Sequence, residues 1–81
     1  MTNSDELTLL TRADCHLCEE AQRLLERLRV TFGTIDIDTD AALVARYGDA
    51  VPVLLRGSKE IGRAPFTRET LVAVLQRAGV L

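Results

Sequence analysis

The stretch Leu7-Thr8-Leu9-Leu10-Thr11-Arg12-Ala13-Asp14-Cys15-His16-Leu17-Cys18 decides how this chain is read. Its first five residues are β-prone and largely apolar, the pattern of a buried central strand. The loop Arg12-Ala13-Asp14 follows, and then a helical pattern begins. Leu17, Ala21, Leu24, Leu25 and Leu28 recur at helical spacing up to about Arg29, with Glu19, Glu20, Arg23 and Glu26 largely on the other faces. Strand, loop and helix thus deliver Cys15 to the helix start, as its first residue or its cap. Cys18 lies one turn later.

That placement favours disulfide chemistry. A thiolate is the nucleophile in exchange, and a helix N-terminus stabilises it by about 0.3–1 kcal/mol, or up to ~2 when partly buried. Hydrogen bonds from Cys18 and from free backbone N–H groups add to this. Arg12 and a protonated His16 push the same way, while Glu19, at i+4 from Cys15, opposes them by a few tenths of a kcal/mol. The expected thiol is moderately acidic. Cys18, more covered, is placed to attack a mixed disulfide formed at Cys15 and release the reduced substrate.

Metal binding is the chief rival. A structural zinc site takes four ligands, and the chain holds two cysteines and one histidine. His16 lies beside Cys15, a poor geometry for chelation by all three, so no metal site is assigned within one chain. A site shared across a dimer, including an iron–sulfur cluster, stays open. With no second histidine and no convincing Asn or Asp partner, a hydrolytic triad around Cys15 is not supported.

Beyond the first helix, 30–37 reads as a second strand, with Ile35 and Ile37 alternating against Asp36 and Asp38. Thr39 or Asp40 can cap a short helix over 41–47, ended by Gly48. The Asp36, Asp38, Asp40 series marks the exposed side of a strand end, with capping; it lacks the glycine and distal glutamate of a calcium loop. Val51-Pro52-Val53-Leu54-Leu55 is a third strand, and Gly57-Ser58 a two-residue turn into a fourth near 60–62. Thr67 caps a last helix, Phe66 and Leu71 form a hydrophobic staple, Leu71, Val74, Leu75 and Ala78 face inward, and Gly79 stops it. The order β-α-β-α-β-β-α implies a four-stranded mixed sheet, parallel in its first βαβ unit and antiparallel at the later hairpin, with helices on both faces.

Composition agrees and excludes. The chain's 81 residues suit one domain, 1–81, and 47% are apolar, enough for a core. The net charge is −2, without the concentrated basic footprint of a nucleic-acid binder. There is no apolar run for a membrane span, and the polar opening 1–6 is no export signal. The expected setting is the cytoplasm, where a disulfide is more often catalytic or sensing than structural. A bridge between cysteines three apart closes too small a loop to stabilise much.

From Leu7 to Cys18, and again at Ala50-Val51-Pro52-Val53-Leu54, the chain resembles the thioredoxin-like superfamily, closest to small bacterial glutaredoxin-like proteins. The likeness runs over 7–78 and includes the element order. It implies an α/β, thioredoxin/glutaredoxin-like fold: a four-stranded mixed sheet flanked by three helices. It also implies that Val51-Pro52 is cis and stands beside the C-x-x-C motif, with the Val51 backbone pairing to an extended thiol substrate. Arg12 occupies the place of a family lysine that meets a glutathione carboxylate. His16 and Leu17 stand where glutaredoxins carry Pro-Tyr, and Glu60-Ile61-Gly62-Arg63 replaces their Gly-Gly-x-Asp segment.

The expected function is thiol–disulfide exchange on protein or glutathione mixed disulfides. Cys15 is the nucleophile and Cys18 the resolving thiol. Arg12, His16, Val51 and Pro52 form the substrate side. No bound cofactor is needed; glutathione serves as a co-substrate or a reductase system restores the dithiol. A monomer that binds neither nucleic acid nor membrane is expected. The alternative is a non-catalytic binding module or redox sensor on the same fold, one form of which shares a metal or iron–sulfur site across a dimer.

Overall fold

Strand β1, Leu7–Thr11, is the middle of the molecule because both its faces are apolar. Leu7 and Leu9 point into one cluster and Leu10 into another, as the two-residue period of a strand demands. The computed structural model describes residues 6–81, so of the opening 1–6 only Glu6 falls among them. Around β1 the chain forms α1 (His16–Arg27), β2 (Gly33–Asp36), a 3-10 turn (Ile37–Thr39) and α2 (Ala41–Tyr47). Then come β3 (Val53–Arg56), β4 (Lys59–Arg63) and α3 (Arg68–Arg77).

The sheet order is β2-β1-β3-β4. β2 runs parallel to β1, and β3 is antiparallel to both β1 and β4. Arg56 pairs with Lys59 across Gly57-Ser58. Gly57 holds φ 63, a conformation glycine adopts without a Cβ clash, and this closes the hairpin.

Each face of the sheet has its own core. Ala21 and Leu25 of α1 and Leu71, Val74 and Leu75 of α3 cover Leu7, Leu9 and Leu54. On the other face Leu10, Val53, Ile37 and Tyr47 pack together, with Leu43 and Val44 of α2 against them. The mixed sheet flanked by helices is therefore as expected.

Several details differ from the sequence reading; among them, the third strand runs Val53–Arg56 rather than over 51–55, with Pro52 just before it. In α1 the buried positions are Cys18, Ala21 and Leu25, while Leu17 is 48% exposed. Cys18 takes the inward place, and Leu17, one residue earlier, is turned about 100° away from it. The helix ends at Arg27 with Leu28 as its C-cap, and Arg29 follows at φ 58.

The second strand spans only Gly33–Asp36. Val30 and Phe32 lie before it, partly buried against the α1/α3 core. Ile35 is exposed and Ile37 fully buried, because the chain leaves the strand after Asp36. Asp36 accepts from the Asp38 N–H at 2.9 Å and starts the 3-10 turn, which breaks the alternation of a strand.

Helix α3 carries a reciprocal cap. Thr67 accepts from the Thr70 N–H at 3.1 Å, and Thr70 Oγ1 accepts from the Thr67 N–H at 2.8 Å. Phe66 and Leu71 share one cluster, Ala78 is the C-cap, and Gly79 follows at φ 78. Beneath this helix, a Cβ built on Gly62 would lie 3.2 Å from Phe66 and 3.3 Å from Val74.

Candidate functional site

Asp14 turns the chain from β1 into α1 at φ 56, a conformation that aspartate tolerates better than most residues. Cys15 is the N-cap of α1, in extended conformation at φ −103 and ψ 102. Its carbonyl accepts from the Glu19 N–H at 3.1 Å, and its Sγ accepts from the Cys18 N–H at 3.1 Å. The sulfur thus fills the place that a serine or aspartate oxygen takes in other caps. Cys15 and Cys18 form a disulfide with their Cα atoms 5.2 Å apart. Cys15 is half-buried and Cys18 is 3% exposed.

His16 stands outside this pair. Its side chain is 80% exposed, with Glu19 at 3.8 Å from Nδ1 and Glu20 at 3.7 Å from Nε2. Any positive charge on the ring meets two carboxylates at the same helix surface.

Arg12 is committed elsewhere too. Its Nε and Nη2 donate to Asp38 Oδ1 at 3.1 and 2.7 Å, and Nη1 donates to the Gly48 carbonyl at 3.2 Å. The hydrogen bond donated to Asp38, and then the charge of that carboxylate, raise the guanidinium above its ordinary pKa.

Val51-Pro52 is a cis peptide, as the resemblance implied, and so is Ala64-Pro65, which the sequence reading did not foresee. Leu10 pairs with Val53, so the next residues back along β3's approach, Pro52 and Val51, face the exit of β1. That exit carries the cysteine loop. Pro52 is buried, and its carbonyl accepts from the Ala64 N–H at 2.9 Å. The backbone N–H and C=O of Val51 have no hydrogen-bond partner among the described residues.

The structure therefore gathers Cys15, Cys18 and His16 at the start of α1, and brings Arg12, Val51 and Pro52 to the same end of the sheet. Asp38 and Gly48 are the residues the sequence reading missed. One signal was available: of the three alternating aspartates, Asp36 and Asp40 act as caps, leaving Asp38 for another partner. Among the described residues no group of three or more His, Cys, Asp or Glu could hold a metal ion. None of their helices is long and apolar enough to cross a membrane.

A mixed four-stranded sheet covered by helices, entered through a C-x-x-C pair at a helix N-terminus, is a thioredoxin/glutaredoxin fold. The chain belongs to the glutaredoxin-like domain family (DUF836), whose model matches residues 6–76. It is similar to target protein XcR50 from X. campestris, at 42% identity and TM-score 0.80 over 88% of this chain and 96% of that one. Protein Ne2328 from Nitrosomonas europaea is similar at 29% identity and TM-score 0.70, over 90% of this chain and 93% of that one. Buckwheat glutaredoxin, solved as a complex with glutathione, is similar at 26% identity and TM-score 0.66, over 98% of this chain and 84% of that one. No protein of curated function matches the chain.

Proposed function

We propose that this protein is a thiol–disulfide oxidoreductase of the cytoplasm, working on protein disulfides and glutathione mixed disulfides. The observation that carries the reading is the pair itself: a half-buried Cys15 at the cap of α1, bonded to a buried Cys18 one turn inside. Similarity to a glutaredoxin solved with glutathione supports the choice of substrate class.

In the reduced protein, the Cys15 thiolate attacks one sulfur of the substrate disulfide. A Cys15–substrate bond forms, and the other substrate sulfur leaves as a thiolate that takes up a proton. Cys18 then loses its proton and attacks Cys15 Sγ. The Cys15–Cys18 disulfide forms, and the second substrate sulfur leaves as a thiol. Two electrons have passed to the substrate, and two glutathione thiols or a dithiol reductase return them. The open N–H and C=O of Val51 pair with the backbone of the incoming chain. The protein acts as a monomer with no bound cofactor, and neither nucleic acid nor membrane is a partner.

Turnover assays test this directly. Reduction of insulin and of a cysteine–glutathione mixed disulfide is followed with wild type, Cys15→Ser and Cys18→Ser. Cys15→Ser is expected to be inactive on both. Cys18→Ser is expected to fail on insulin and to accumulate a covalent adduct at Cys15. A Cys15→Ser variant as active as wild type would overturn the assignment.

A further inference from the structure

We infer that Asp38 is a specificity-determining residue, holding the Arg12 guanidinium away from glutathione carboxylates so that the site favours protein disulfides. The inference rests on the oxidoreductase reading above, since it concerns which disulfides that site accepts.

Arg12 has five N–H donors, and three of them are in use. Nε and Nη2 both aim at Asp38 Oδ1, and Nη1 is held by the Gly48 carbonyl. Asp38 comes from the 3-10 turn and Gly48 from the end of α2, so the fork is gripped from two elements. The charge is answered as well: Asp38, Asp49 and Asp36 all act on this cation. Asp38 takes the Nε–Nη2 edge, the one that meets a carboxylate side-on, so an incoming carboxylate is left the remaining N–H groups and meets the repulsion of Asp38. His16, when protonated, faces Glu19 and Glu20. Cationic help for an anionic tripeptide is thus largely cancelled within the protein. A disulfide in a polypeptide, read through the backbone of Val51, does not depend on it.

Sequestration and bracing differ in sign. If Arg12–Asp38 were only a strut, removing either partner would weaken the site. If Asp38 withholds Arg12, then Asp38→Asn improves recognition of carboxylates, and the gain disappears when Arg12 is also removed.

The experiment uses the Cys18→Ser background, where exchange stops at the Cys15 adduct. Cys15 attacks oxidised glutathione, a Cys15–glutathione bond forms, and one reduced glutathione leaves. The exchange constant is read by mass and divided by that for hydroxyethyl disulfide, a neutral probe with the same chemistry and no carboxylates. The ratio cancels changes in thiol acidity. Asp38→Asn is expected to raise it about two- to fivefold, the range an exposed ion pair supplies. Arg12→Ala/Asp38→Asn should return it to the starting value. A ratio unchanged or lowered by Asp38→Asn overturns the inference. Because any accessible thiol exchanges, failure of the oxidoreductase reading shows in the insulin assay and not here. A thermal melt of Asp38→Asn matching the parent confirms that the comparison is between folded proteins.

Discussion

The Cys18 N–H donates to Cys15 Sγ over 3.1 Å, so the sulfur that caps α1 is held by the backbone of the very residue it is bonded to. The same hydrogen bond completes the first turn of α1. Helix capping and the placement of the sulfur are therefore one structural event at this position.

On the proposed function, the same contact is expected to favour the Cys15 thiolate once the disulfide opens. In a Cys18→Ser protein, which keeps the backbone donor, the Cys15 alkylation rate should reach half its maximum at a pH below the ordinary thiol range. A rate–pH profile with iodoacetamide checks this. A midpoint in the ordinary range would show that the helix start contributes nothing.

The two cores predict unequal costs for apolar truncations. Leu54 is fully buried in the α1/α3 core, and Leu54→Ala should cost about 2–5 kcal/mol in urea unfolding. Ile35 is 42% exposed, and Ile35→Ala should change stability by less than about 0.5 kcal/mol.

This pair also shows where the sequence was legible. The helix and strand order could be read because α1, α3 and β1 announce themselves by strict periodicity and by capping residues. The second strand could not be bounded. Ile35 and Ile37 look alike to a strand pattern, and only the Asp36 cap sends them to different environments. At the site, the cysteines were plain because one helix turn fixes their relation. The Arg12–Asp38 pair was not, since it joins residues 26 apart through the fold. Gly62 tells the same lesson: its need for a missing Cβ appears only once α3 lies across it.

The reciprocal threonine cap predicts non-additive losses. Thr67→Ala should cost about 0.5–2 kcal/mol. Thr70→Ala should cost less, and the double variant less than the sum, because each hydroxyl serves the other's backbone N–H. Denaturant titration of the three variants measures the coupling.

Glu60 and Arg63 form a two-pronged pair at 2.6 and 2.8 Å, and the hydrogen bond from Arg63 lowers the Glu60 carboxyl below its usual range. A carboxyl depressed in the folded state stabilises the fold above its unfolded pKa and loses that contribution as pH falls through the folded value. Wild type should therefore exceed Glu60→Gln in stability at neutral pH, with the gap closing in acid. Paired melts from pH 7 down to about pH 3 follow it, since an ordinary glutamate titrates near ~4.3. A gap that widens in acid would reverse the sign.

The central claim is that Cys15 and Cys18 cycle between dithiol and disulfide. Equilibration of the purified protein in glutathione redox buffers, trapping by alkylation and reading by mass tests it most directly. The account predicts one reversible two-electron transition, with a midpoint between about −200 and −270 mV, the range of reducing dithiol active sites. Two thiols that stay reduced across the whole buffer range, or a disulfide that never opens, would contradict it.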